Sequence, residues 1–204
     1  MDLPSFVPTP EEGLQLVSPV APYLQPAMDN ALFETTTFIE SKSLSCDGST
    51  FLTFVRAFAK DYLVKQNTAG VLFKDWSLSG IEWRIGDAIF RSWKGEGYEL
   101  PPPGLSKGRM KFLNQQYPLP LDFSGAAKLR NFVVLYDIGP QNKITLWLVC
   151  PKKYNAEERI SEAWWWIQIQ DPASGMSGNT PIGTPPGDLE GFKAKLPQAE
   201  KKIG

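Results

Sequence analysis

The chain contains no histidine. That absence removes the commonest general acid–base, the Ser-His and Cys-His nucleophile pairs and every histidine metal site. Catalysis, if any, would fall to carboxylates, Lys, Arg, Tyr or Cys. Cysteine is almost as scarce: Cys46 and Cys150 are the two in the chain, and they form no metal or redox motif. Two free thiols fit a reducing, cytoplasmic setting, with a single disulfide as the alternative. No run approaches the roughly 18 apolar residues of a membrane span, so no transmembrane helix and no membrane partner are expected. Met1-Asp2-Leu3-Pro4 lacks the basic and apolar regions of a signal peptide, and none is expected.

Nucleotide and metal motifs are missing too. Ser174-Gly175-Met176-Ser177-Gly178 has the composition of a phosphate loop but neither the Lys-Ser/Thr ending nor a helix start after it. Glu157, Glu158 and Glu162 have no fourth oxygen ligand at fixed spacing. Glu82 and Asp87 are five apart, which puts them on different faces of a helix and makes them a poor acid–base pair. No catalytic residue, metal or cofactor is expected. No internal repeat and no motif of a known family is present.

What remains is an ordinary globular composition. Of 204 residues 42% are apolar and 21% charged. That is enough for one domain burying roughly 70% of its unfolded surface. Large apolar residues are densest between 130 and 170. Phe132 to Tyr136 and Ile144 to Val149 flank Gly139-Pro140-Gln141-Asn142, the pattern of a β-hairpin with a four-residue loop. Trp164-Trp165-Trp166-Ile167-Gln168-Ile169 supplies a third strand. Strand alternation would point Trp165 away from Trp164 and Trp166, so one face at least is core. Tyr136 and Asp137 stand at a strand end, where a turn is the simpler reading than an active site. Cys150 ends an apolar strand with no base near it in sequence and reads as a small buried hydrophobe.

Upstream the pattern is helical. Thr9-Pro10-Glu11-Glu12 is a capping box with proline at the first helical position. Pro19, Pro22 and Pro26 are expected to keep that helix short. Residues 27–43 fit a helix through Met28, Leu32 and Ile39, or a strand through Thr35-Thr36-Thr37-Phe38-Ile39; the first half reads as helix. After the Cys46-Asp47-Gly48-Ser49 turn, Phe51, Val55, Phe58 and Tyr62 make the apolar stripe of a helix near 50–66. Val71-Leu72-Phe73 reads as a short strand. A second capping box, Ser79-Gly80-Ile81-Glu82, and Gly95 as a stop then predict a helix over 80–94 with Ile81, Ile85, Ala88, Ile89 and Trp93 buried. Pro101-Pro102-Pro103-Gly104 imposes an extended turn, and Pro118, Pro120 and Gly125 make a later connection irregular. Between them, Lys107-Gly108-Arg109-Met110-Lys111-Phe112 alternates like a strand with a basic outer face.

The fold class that follows is α+β: a helical N-terminal half packed on a small antiparallel β-sheet of three or more strands. Residues 1–170 form one domain, with 1–50 as an acidic segment. Residues 171–204 read as an irregular arm, since eight of the nineteen residues from 171 to 189 are Gly or Pro.

Charge is unevenly spread around a net −1. Residues 1–50 carry −6, residues 51–130 carry +5, and the remainder is neutral. On the predicted helix, Arg84, Arg91 and Lys94 fall within about 80° of one another, with Asp87 between them. Lys107, Arg109 and Lys111 line the outer face of the predicted strand. Several cations on one surface are what a phosphate backbone or an acidic protein requires. A solvated helix beside a lysine-blunted edge is the plainer account of the same residues. The leading expectation is a binding or regulatory protein whose nucleic-acid or anion-binding residues are Arg84, Arg91, Lys94, Lys107, Arg109 and Lys111. The acidic first fifty residues would be placed to cover that face. A histidine-free nuclease or toxin-like enzyme using the same face is a second reading. A subunit of a homo-oligomer or hetero-complex, joined through Trp164, Trp165, Trp166 or the C-terminal arm, is a third. A concave pocket with buried Tyr, Asp and Arg would favour the enzyme, a positive surface the binding protein, and a large exposed apolar patch the assembly.

Because its Gly and Pro content makes ordering costly with little apolar surface in return, the arm should add little to the core. A chain ending at Gln170 is expected to melt within a few degrees of the full chain by circular dichroism. A large loss of stability would show that the arm wraps the domain.

Overall fold

Six strands form one sheet in the order β1-β2-β3-β4-β5-β6, and helices cover one of its faces. A computed structural model describes residues 3–74, 80–101, 107–114, 130–155 and 160–169. The chain order is α1 (Pro10–Val17), α2 (Ala21–Ser41), α3 (Gly48–Lys65), β1 (Val71–Phe73), β2 (Ile81–Ile85), β3 (Ala88–Lys94), α4 (Lys107–Leu113), β4 (Asn131–Ile138), β5 (Ile144–Asn155) and β6 (Ile160–Ile169). This is an α+β fold. The turn at 102–104, the partner Ser79 of the second capping box, the irregular connection at 115–129, Glu157, Glu158 and the arm lie outside the described residues.

The N-terminal signals act as read. Thr9 Oγ1 accepts from Glu12 N at 3.3 Å and Thr9 N donates to the Glu12 carboxylate at 2.8 Å, closing the capping box of α1. Asp47 caps α3, accepting from Thr50 N at 2.7 Å, and that bond holds its carboxyl below the ordinary value. The prolines do not confine the helical region as expected. Pro22 sits at the start of α2, where its missing N–H is no loss, and Pro26 forfeits one bond in a helix of 21 residues. Burial of Leu24, Ala27, Met28, Ala31, Leu32 and Thr35 outweighs that bond, and carries the helix through the β-branched stretch as well. Phe38 then packs on Phe54 and Phe58 of α3, with centroids 5.3 and 6.5 Å apart, joining the two helices.

The predicted helix over 80–94 is a hairpin. β2 and β3 pair antiparallel around the two-residue loop Gly86-Asp87. Gly86 has φ +60°, in the first loop position where tight hairpins favour glycine. Both strands are buried on two sides, so apolar residues occur at odd and even positions and mimic a helical stripe. Ile81, Trp83, Ala88 and Phe90 face the helices. Ile89 and Trp93 face the other way. The sheet is also mixed rather than antiparallel throughout, because β3 runs parallel to β4 from Ile89↔Asn131 to Lys94↔Tyr136. A parallel pair needs a long crossover, and the crossover after β3 carries α4 across the second face. The predicted strand at 107–112 is that helix, in which Phe112 and Leu113 are the buried residues. Adjacent buried residues break the period of two.

Along the helix-covered face a line of rings crosses the sheet. Phe73, Trp83, Phe90, Phe132 and Trp165 follow one another at centroid distances of 6.3, 5.5, 5.3 and 6.0 Å. Cys150 is the partner of Trp165, and its small side chain lets that ring reach Phe132 across β5. Its thiol is fully buried, and burial pushes its pKa upward, so it is packing and not a nucleophile. Trp164 is skipped in the β5–β6 register between Cys150↔Trp165 and Pro151↔Ala163. This bulge overrides the expected alternation: Trp164 and Trp165 both pack towards the helix side, whereas Trp166 joins the opposite face. Trp165 Nε1 donates to Pro8 O at 2.6 Å and so ties β6 to the start of α1.

Gly13 of α1 lies directly against the Trp165 ring, where a Cβ would overlap Cη2. Gly13→Val should therefore lower stability by about 1–3 kcal/mol through overpacking, read as a shift of the urea midpoint. Gly48→Ala, at an α3 position with open space around it, should leave the midpoint unchanged or raise it.

Candidate functional site

On the second face, α4 packs against β3, β4 and β5 over Ile89, Trp93, Val133, Leu135, Val149 and Tyr154. Two asparagines fix its position. Asn114, just past the helix, donates Nδ2–H to Tyr154 O at 2.8 Å and accepts from Tyr154 N at 2.7 Å. Asn131 at the start of β4 donates to Phe112 O at 2.9 Å. A backbone clamp of this kind sets the spacing between α4 and the far end of β5. The space between them is an open groove of about 440 Å³ lined by Lys107, Met110, Lys111, Asn114, Lys153, Tyr154 and Asn155.

The six cations named from sequence do not share one surface. Lys107 and Lys111 stand four apart on α4, so a helix brings together what an alternating strand would also have aligned, and both are exposed on the groove. Arg109 turns the other way, half buried, with its guanidinium 5.1 Å from the Trp93 ring centroid. Arg91 is buried. Its Nε lies 2.7 Å from the Glu82 carboxylate and its guanidinium 4.3 Å above the Phe112 ring. Lys74 approaches the same carboxylate at 3.5 Å. Arg84 is exposed on β2, paired in register with Leu72 of β1 and Ile89 of β3, and Lys94 is exposed at the end of β3. Neither lines the groove. Asp87, expected between Arg84 and Arg91, pairs instead with Arg130 at 3.2 Å.

Lys153 is a groove cation that sequence patterning does not single out. The Pro151-Lys152-Lys153 run is plain in the chain, but the approach of β5 to α4 depends on a contact forty residues apart. Its neighbour Lys152 is engaged elsewhere, 3.1 Å from Glu162 and 5.1 Å from the Trp164 ring.

Other candidate chemistry disperses. Tyr136 faces the helices, and burial raises its pKa. Asp137, next in the strand, accepts from Gly97 N at 3.1 Å. Among the described residues no group of three carboxylate or thiol side chains is placed to hold a metal, and no helix is long and apolar enough to cross a membrane. The acidic helices α1 and α2 pack on the sheet face opposite α4 and so do not cover the groove. Comparison with family models, with curated proteins and with solved structures gives no match.

Glu82 and Arg91, 5% and 11% exposed, are a buried pair whose value shows when one partner is removed. Glu82→Ala should cost about 3–5 kcal/mol in urea unfolding, because it leaves the Arg91 charge buried beside an aromatic ring. Replacing both, Glu82→Leu with Arg91→Met, should recover most of the loss.

Proposed function

We propose that the protein is a binding or regulatory module that engages nucleic acid through the groove between α4 and β5, in a reducing, cytoplasmic setting. One observation carries this reading: Lys107, Lys111 and Lys153 converge from two elements on one concavity whose lining, among the described residues, includes no carboxylate. Fixed lysines around a groove can each take a phosphate and release its counterion. The amides of Asn114 and Asn155 add hydrogen-bonding groups beside them. Arg91 and Arg109 have no part in phosphate contact here. They serve the groove by holding α4 on Phe112 and Trp93. The free thiols Cys46 and Cys150 support the reducing compartment.

The test is charge reversal. Lys107→Glu, Lys111→Glu and Lys153→Glu together should weaken binding of a labelled oligonucleotide by orders of magnitude at low salt, with the melting curve unchanged. The log–log salt slope should fall by about 0.7 for each single-strand phosphate that is no longer neutralised. Arg84→Glu with Lys94→Glu should change binding far less. If the wild-type chain binds oligonucleotides no better than the triple variant, the nucleic-acid reading fails. Polyglutamate binding that survives in the wild type alone would then assign the groove to an acidic protein.

A further inference from the structure

We infer that the nucleic acid taken by this face is single-stranded, an inference that rests on the groove reading above. The second face carries an aromatic cluster as well as lysines. Tyr98 stacks on Trp166 with centroids 3.9 Å apart and planes 14° from parallel. Trp147 meets Tyr98 and Trp166 edge-on at 5.8 and 5.4 Å. All three rings keep part of their surface in solvent. The indole N–H groups of Trp147 and Trp166 have no acceptor among the described residues, donors that base or phosphate oxygens match.

The two features share a strand. Trp147 and Lys153 are both on β5, and six residues at 3.3 Å each separate them by about 20 Å, a span that a few extended nucleotides cover. A charged groove followed by a ring platform is the combination that holds single strands: lysines track phosphates, and each exposed base lies on a ring. A duplex keeps its bases stacked inside and offers the platform nothing. Nor is α4 built to enter a major groove. It has seven residues, and Phe112 and Leu113 bind it to the sheet.

The experiment compares a labelled oligothymidylate, an oligouridylate and the duplex of oligothymidylate with oligoadenylate, by fluorescence anisotropy on the full chain. Both single strands should bind at least tenfold more tightly than the duplex. Tyr98→Ala should weaken single-strand binding about tenfold with the salt slope unchanged, because stacking releases no counterions, and Tyr98→Phe should restore it. Lys107→Glu with Lys111→Glu should lower the slope. Equal binding of duplex and single strand, or a Tyr98→Ala variant that folds and binds like wild type, overturns the single-strand inference; the groove reading stands if the lysine variants still lose binding. If no nucleic acid binds, both fall. Should Tyr98→Ala not fold, tryptophan emission decides: saturating oligothymidylate must quench it, and no quenching overturns the inference. A tighter grip on oligouridylate than on oligothymidylate would identify RNA through its 2′-hydroxyl.

Discussion

The parallel pairing of β3 with β4 is the constraint from which the second face follows. Both strands are buried on their two sides over most of their length, so each face of the sheet must be covered. The helices α1 to α3 cover one. Because the pair is parallel, the chain leaving β3 at Lys94 has to return to the beginning of β4 before it can pair. That return passes over the uncovered face and supplies its lid, the Tyr98 segment first and α4 afterwards. The lysine groove and the ring cluster are thus products of one connection. An antiparallel β3–β4 hairpin would have needed neither.

The polar interactions on that face are set by register rather than by strength. Glu82 and Arg91 are direct partners in the β2–β3 ladder, and a slip of one residue would turn both to the helix side, against Phe90 and Phe132. The pair therefore distinguishes the correct register from its neighbour, even where an apolar replacement of both would be equally stable. The rings on the other face contribute about 0.5–1.5 kcal/mol per pair beyond their buried area, and they reinforce the same alignment because Trp83 and Phe90 stack within 8° of parallel. Charge on one face and aromatic stacking on the other thus select a single pairing.

How much of this is legible in the sequence depends on whether a pattern has one physical cause. The Thr9 box, the α3 stripe and the β4–β5 hairpin are each decided locally, and they stand where the residue pattern places them. Residues 80–94 are not, because two strands buried on both sides satisfy a helical period as well as their own. The decisive clue is local after all: Gly86-Asp87 between two apolar runs is a hairpin loop, and it competes with a capping box at the start of the same segment. At 107–113 the alternation Met110–Phe112 conceals the adjacent Phe112–Leu113, which only a helix accommodates on one side here. The Trp164 bulge has no sequence signal, since nothing in three consecutive tryptophans marks which one the register will skip. The site itself is half visible. Lys107 and Lys111 stand out from sequence, but Lys153, the Asn114–Tyr154 clamp and the burial of Arg91 belong to contacts between distant segments.

The placement of charge bears on how a polyanion would arrive. The N-terminal residues that carry −6 lie on the helix side, and the groove lies across the sheet from them. Packed layers stand about 10 Å apart, close to the Debye length of about 8–10 Å at physiological salt. A polyanion far away therefore sees a molecule of net charge −1 and is not drawn in. Within one Debye length it is repelled by the helix face and attracted by the lysines. Such an arrangement gives little long-range steering; it favours one orientation at contact. Affinity then has to come from short-range terms, phosphate contacts in the groove and ring stacking beside it, and the acidic helices act as an electrostatic guard on the wrong face.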